Sequence, residues 1–198
     1  MNQRVIHYAE CAFLSVLAYF TLRRLLPAVG EHPQVLVSLA AELAGVLFIF
    51  LQRPGDVATD LRSIILGFGG TSMALLIAPL GTALASEAVT TALITGGFAL
   101  SVLAKLSLRR SFGIVPANRG VKSDGMYRFV RHPMYMGYMI SHLGFILLYP
   151  HLWNVAILGL AWVLLWARTR EEERVLMRDP AYQEYAGKVR FRLMPGLI

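Results

Sequence analysis

The residues best suited to chemistry lie in two short clusters. Arg131-His132-Pro133-Met134-Tyr135-Met136-Gly137 sets a basic, polar knot against an apolar run that begins at Met134. Arg168-Thr169-Arg170-Glu171-Glu172-Glu173 closes the next apolar run. With Tyr127 these clusters supply an imidazole, two phenols, a guanidinium and a carboxylate, a set able to hold a polar cofactor beside a lipid-embedded substrate. Arg168 and Glu172 are four apart and share one helix face. Other chemistries lack their residues. No Gly-rich loop follows a strand, and GxSxG and HExxH are absent. One cysteine, Cys11, allows neither an intrachain disulfide nor a Cys-rich metal site and reads as a small buried residue. His142 has no second His or carboxylate at i+3 or i+4, so it reads as a hydrogen-bonded packing residue, and no metal is expected.

The elements that must position these groups are apolar helices. Of 198 residues, 56% are hydrophobic and 16% charged, well beyond a soluble domain. The apolar excess falls in six segments, about 5–26, 34–51, 63–85, 88–106, 134–149 and 152–167, near the length that a bilayer requires. The expected fold is an all-α integral membrane protein of five to six transmembrane helices, with a cofactor pocket on the cytoplasmic face formed by the C-terminal half. Residues 1–106 would hold about four of the helices, and 107–198 the cofactor-binding and catalytic half, with a helical hairpin and an amphipathic tail. The first segment reads as a retained helix, because Ala28-Val29-Gly30 is a poor cleavage site and Arg23-Arg24 interrupts its end. Segments five and six are short, so one of them could be re-entrant.

The net charge of +7 reflects topology. With the N-terminus inside, only Arg23 and Arg24 of the 19 Lys and Arg residues fall outside, which orients the chain with both termini cytoplasmic. The basic excess then meets anionic lipid, and no nucleic-acid partner is expected.

Pro27, Gly30 and Pro33 break segments one and two, and Arg53-Pro54-Gly55-Asp56 breaks two and three. Gly67, Gly69, Gly70, Gly96 and Gly97 would let helices approach closely. Glu10 and Glu42 sit inside apolar segments. Each is either a residue lining a site or a bland one, Glu10 reaching the interface and Glu42 protonated in a packed seam. The connection from Ser107 to Pro133 is long, and Phe112, Val115, Val121, Tyr127 and Phe129 are interleaved as anchors, so an ordered cap is expected. The last apolar segment passes without a breaker into the Arg168–Arg174 cluster, as one helix leaving the membrane. Asp179-Pro180 restarts a short helix with Tyr182, Tyr185 and Val189 on one side. The tail from Arg190 to Gly196 reads as extended, lying back over the site.

Gly125-Met126-Tyr127, the Arg131–Gly137 element, the Arg168–Glu173 cluster, Tyr182-Gln183-Glu184-Tyr185, and Arg190-Phe191 through Pro195 come in an order that resembles the isoprenylcysteine carboxyl methyltransferase family, as a prokaryotic-type member. The likeness covers about residues 105–196. It implies a membrane enzyme, set in a prokaryotic inner membrane, that transfers a methyl group from S-adenosylmethionine to the carboxylate of an isoprenylcysteine-like or other lipophilic acceptor entering from the bilayer. Carried over by position, cofactor contacts fall on Arg119, Gly120, Val121, Lys122, Tyr127, His132, Pro133, Met134, Tyr135 and Glu172, and the substrate carboxylate on Arg168, with Arg168 and Glu172 as the catalytic pair. Members acting on prenylated proteins often carry a histidine where this chain has Arg119, a departure that leaves backbone contacts at 119–122 unaffected. Two other readings are an NADPH-dependent membrane reductase of the sterol-reductase type and a non-catalytic membrane protein of the same fold.

Overall fold

The structure is a computed structural model and describes residues 2–30, 35–194 and 196. Pro33 and Pro195, expected at a break and in the tail, lie outside the described residues. The helices are α1 (Gln3–Leu25), α2 (Val35–Phe50), α3 (Leu61–Ser72), α4 (Glu87–Leu108), α5 (Pro133–Leu148), α6 (Leu152–Leu176) and α7 (Pro180–Lys188). Two-residue strands, β1 (Asp56–Val57) and β2 (Ala117–Asn118), pair antiparallel. Among the described residues, three stretches are long and apolar enough to cross a membrane: Gln3–Ala28, Glu87–Ser111 and Leu152–Leu176. Val35–Phe50 and Pro133–Leu148 are shorter apolar helices. Leu36, Leu43, Leu47, Val163 and Leu160 point outward, as lipid-facing side chains do in a membrane protein.

Segment 63–85 is not one helix. The α-helix ends at Ser72, a 3-10 turn covers Met73–Leu76, and the chain from Ile77 to Ser86 is irregular. Pro79 and Gly81 break it, Gly81 with φ +95°. Its polar backbone is satisfied by side chains from α6: Asn154 accepts from Ala78 N at 3.0 Å and donates to Ala78 O at 2.8 Å, and Trp153 Nε1 donates to Leu76 O. Irregular backbone survives beside lipid only where protein covers it this way.

Close approach of α4 and α5 builds the central seam. A Cβ at Gly97 would lie 2.5 Å from Gly137 O and Ser141 N, and one at Gly144 would lie 2.7 Å from Ile94. Small residues at these positions let the two backbones meet. Gly96 faces open space, and Gly69 and Gly70 make only ordinary contact with Leu164 and Leu165, so they are not seam residues. α6 runs unbroken from Leu152 through the Arg168–Glu173 cluster. α7 is capped by Asp179, which accepts from Ala181 N, and begins with Pro180. Its Tyr182 and Tyr185 are buried.

Candidate functional site

The cap between α4 and α5 is ordered, as its anchors require. Phe112, Ile114, Val115, Tyr127 and Val130 are buried. Phe129 is not an anchor: it is half exposed, with the Arg128 guanidinium 4.6 Å from its ring centre. The cap is tied to the α2–α3 connection by the β1–β2 pair, by Arg53 N donating to Arg110 O at 2.7 Å, and by Ala58 N donating to Pro116 O at 2.9 Å. The tail closes the other side. Arg131 N donates to Phe191 O and His132 N to Arg192 O, at 2.9 and 2.8 Å. The Tyr185 hydroxyl donates to Tyr127 O at 2.7 Å.

Between cap, tail and α6 lies a cleft. Of the expected cofactor residues, Arg119, Gly120, Lys122, Tyr127, His132, Met134, Tyr135 and Glu172 line it. Val121 packs partly buried against the core, and Pro133 is the first residue of α5; neither lines the cleft. Arg168 also stands outside the lining, behind Tyr135, with its guanidinium carbon 5.2 Å from that ring's centre. Sequence reasoning did not single out Gly113, Pro116 or Ala117 on the cap wall, nor Tyr182 and Tyr185 of α7 as site residues. The tyrosines carried a signal, their shared helix face, whereas the cap positions had none.

Glu172 is the hub. Its Oε1 accepts from Tyr135 OH and from Arg168 Nε, the latter at 3.0 Å, and its Oε2 lies 3.5 Å from His132 Nδ1. Arg168 is buried and heavily engaged. Besides Glu172 it donates through one terminal nitrogen to Thr71 Oγ1 at 3.1 Å and Gly67 O at 3.3 Å, and through the other to Gly113 O at 3.3 Å. The His132 and Tyr135 rings stack, with planes 11° apart.

The three consecutive glutamates serve three directions, because neighbours on a helix point about 100° apart. Glu171 pairs with Arg62 and Arg174 beside α3. Glu172 enters the cleft. Glu173 gathers Arg131, His132 and Arg192, at 3.4, 3.3 and 2.7 Å, and so clamps the tail. Burial works against a charge on His132, but hydrogen bonds to Glu172 and Glu173 and their charges outweigh it, so its pKa stands above the ordinary imidazole value. The two flanking carboxylates favour the charged form of His132. Burial pushes the Tyr127 phenol well above its usual pKa, leaving it a neutral hydroxyl.

The remaining polar candidates separate clearly. Glu10 is fully buried and reaches the cap. Glu42 is only partly buried. His142 accepts from Trp162 Nε1 at 3.2 Å, the packing role expected of it. Among the described residues no cluster of three metal-ligating side chains occurs.

Residues 102–178 match the model of the isoprenylcysteine carboxyl methyltransferase (ICMT) family, a span that holds the cap, the His132–Tyr135 knot and the Arg168–Glu173 cluster. Over that span the chain is similar to this family of methyltransferases. No significant match was found among curated proteins or solved structures.

Proposed function

We propose that this protein transfers a methyl group from S-adenosylmethionine to the carboxylate of a lipophilic acceptor, isoprenylcysteine-like or related, at the cytoplasmic face of a prokaryotic inner membrane crossed by five to six segments. The observation that carries the reading is the meeting of the two sequence clusters: Tyr135 and His132 from one, Arg168 and Glu172 from the other, joined through a single carboxylate beside one cleft. The cleft's unmatched polar groups suit the donor. The Tyr182 hydroxyl is buried without a hydrogen-bond partner among the described residues, an arrangement that costs free energy unless a ligand supplies one. Tyr127, His132, Met134, Tyr135 and Glu172 would hold the donor, with the backbone at Arg119, Gly120 and Lys122.

S-adenosylmethionine supplies an electrophilic methyl group on a sulfonium. The protein's part is position. An acceptor carboxylate, with an ordinary pKa near ~4, is already ionised at neutral pH. It needs no general base, in keeping with a His132 locked between carboxylates. Arg168 orients the acceptor. To grip it with two N–H groups, the guanidinium gives up one of its longer contacts, to Gly67 O or Gly113 O, for a charge-assisted bond. Glu172 keeps Arg168 aimed throughout, and the tail held by Glu173 limits water around the reacting groups. The lipid-facing surface lets an oily acceptor arrive from the bilayer, while the donor enters from water.

The test is methyl transfer from tritiated donor to a panel of lipophilic acids, thiols and amines in detergent or proteoliposomes. Label in base-labile esters of the acids supports the reading. Label only in thiols or amines, or none with any acceptor, contradicts it.

A further inference from the structure

Arg119 is a buried cation with little to hold it. Its side chain is 4% exposed, and its only ion pair among the described residues is a 3.8 Å contact with Glu10. Among the described residues its guanidinium donates no hydrogen bond, yet Arg119 lines the cleft. Arginine carries five N–H donors in a planar fork. The natural complement of a fork that reaches a cleft is a carboxylate taken with two parallel bonds.

Glu10 comes from α1, outside the family-matched span. It is fully buried and its carboxylate is filled. One oxygen accepts from Ile114 N at 2.8 Å and Val115 N at 2.7 Å; the other accepts from Gln52 Nε2 at 3.0 Å and faces Arg119. The cap segment at 113–115 is thus held between α1, through Glu10, and α6, through the Arg168 bond to Gly113 O. Gly113 is bare because the Arg119 guanidinium lies against it, where a Cβ would collide. Gly67 is bare on the far side, since a Cβ there would sit 2.8 Å from Ile114 O. Four elements converge to place one guanidinium at the cleft wall.

We propose that the Arg119 side chain is the carboxylate-recognition group of the cleft and that Glu10 is its positioning residue. The inference rests on the methyltransferase reading and adds to it. Here the chain presents a guanidinium fork, and the first helix takes part in the site. Two carboxylates could occupy the fork: that of the donor's amino-acid moiety, or that of the acceptor. Glu10 balances the buried charge but stands too far away to saturate it, so the N–H groups remain available.

The experiment is calorimetric titration of full-length protein in detergent, using S-adenosylhomocysteine and 5′-methylthioadenosine, which lacks the amino-acid part, together with KM for an acceptor acid. Arg119→Ala should weaken S-adenosylhomocysteine by about 10–100-fold and leave 5′-methylthioadenosine unchanged. That unchanged binding also reports an intact cleft. Arg119→Lys should recover part of the loss, because it restores the charge without the fork. Glu10→Gln keeps an acceptor for Ile114 and Val115 but removes the charge, and should weaken S-adenosylhomocysteine several-fold with kcat at saturating donor little changed. If both cofactor analogues bind normally and KM for the acceptor acid rises instead, the fork holds the acceptor's carboxylate. If the variants match the wild type in all three measurements, or lose both analogues equally, the proposal is wrong. A wild type that binds neither analogue overturns the methyltransferase reading as well.

Discussion

The two ends of the helix bundle are closed by different means. At one end the irregular chain from Ile77 to Ser86 meets the α5–α6 turn, and mostly neutral groups do the work: Asn154 with Ala78 and Tyr149 O, Trp153 with Leu76 O, Leu84 N with Leu147 O, joined by one long bond from Arg24 to Ile77 O at 3.5 Å. At the other end, Glu10, Arg119, His132, Arg168, Glu171 and Glu173 are all buried. Hydrogen bonds between mostly neutral groups, with no buried charge cluster among the described residues, close that end. Buried charges add a large desolvation cost and are retained where geometry makes them useful. The contrast supports the proposal of a functional site at the charged end.

Substitutions at the two ends sharpen the contrast. The largest effect is expected from Arg168→Ala, which leaves the partly buried Glu172 with one partner fewer and unties Gly113 and Thr71. Turnover should vanish, and stability should fall by about 3–5 kcal/mol. Assay and unfolding in the same detergent measure both. Full turnover would remove Arg168 from the reaction. Gly97→Val tests the seam between the ends. Its added atoms meet Gly137 O and the Ser141 backbone, and about 3 kcal/mol should be lost through overpacking, read from the unfolding midpoint. An unchanged midpoint would mean that the α4–α5 approach is looser than described.

Asn154→Ala belongs to the neutral end. It leaves Ala78 and Tyr149 backbone groups unmatched and should cost about 2 kcal/mol, with affinity for S-adenosylhomocysteine unaltered by titration. A loss of affinity equal to that of a cleft variant would erase the distinction between the ends. The smallest effect concerns His132. Because its folded pKa is raised, its ion pairs contribute fully below about pH 6.5, the unfolded value, and that contribution fades as pH rises through the folded value. The stability gap between wild type and His132→Gln should therefore narrow from pH 6 upward in unfolding measured across pH. A gap that widens with pH would show His132 to be neutral in the fold.

Much of this was legible in the sequence, and the reasons are physical. The i,i+4 spacing of Arg168 and Glu172 forces a shared helix face, and Pro133 at a helix start sets His132 and Tyr135 together. Hydropathy was less informative at 63–85. Leu76-Ile77-Ala78-Pro79-Leu80 is apolar whether helical or not, and only Pro79 and Gly81 mark the break. Glu10 was visible as an intramembrane carboxylate, but its partners are the backbone N–H groups of Ile114 and Val115, which have no side-chain signature. Glu173 was hidden by its neighbours, since a run of three glutamates does not say which tertiary partner each will meet. The commitments of Arg168 to Gly67 O and Gly113 O were hidden for the same reason.

The central claim is that the cleft beside Glu172 takes an S-adenosyl cofactor. Titration calorimetry of the purified protein with S-adenosylhomocysteine, and separately with NADPH, tests it most directly. The account predicts micromolar binding of S-adenosylhomocysteine, weakened at least about tenfold by Glu172→Gln through loss of a charge-assisted contact, and no heat from NADPH. Binding of NADPH without S-adenosylhomocysteine would contradict it and return a membrane reductase to first place.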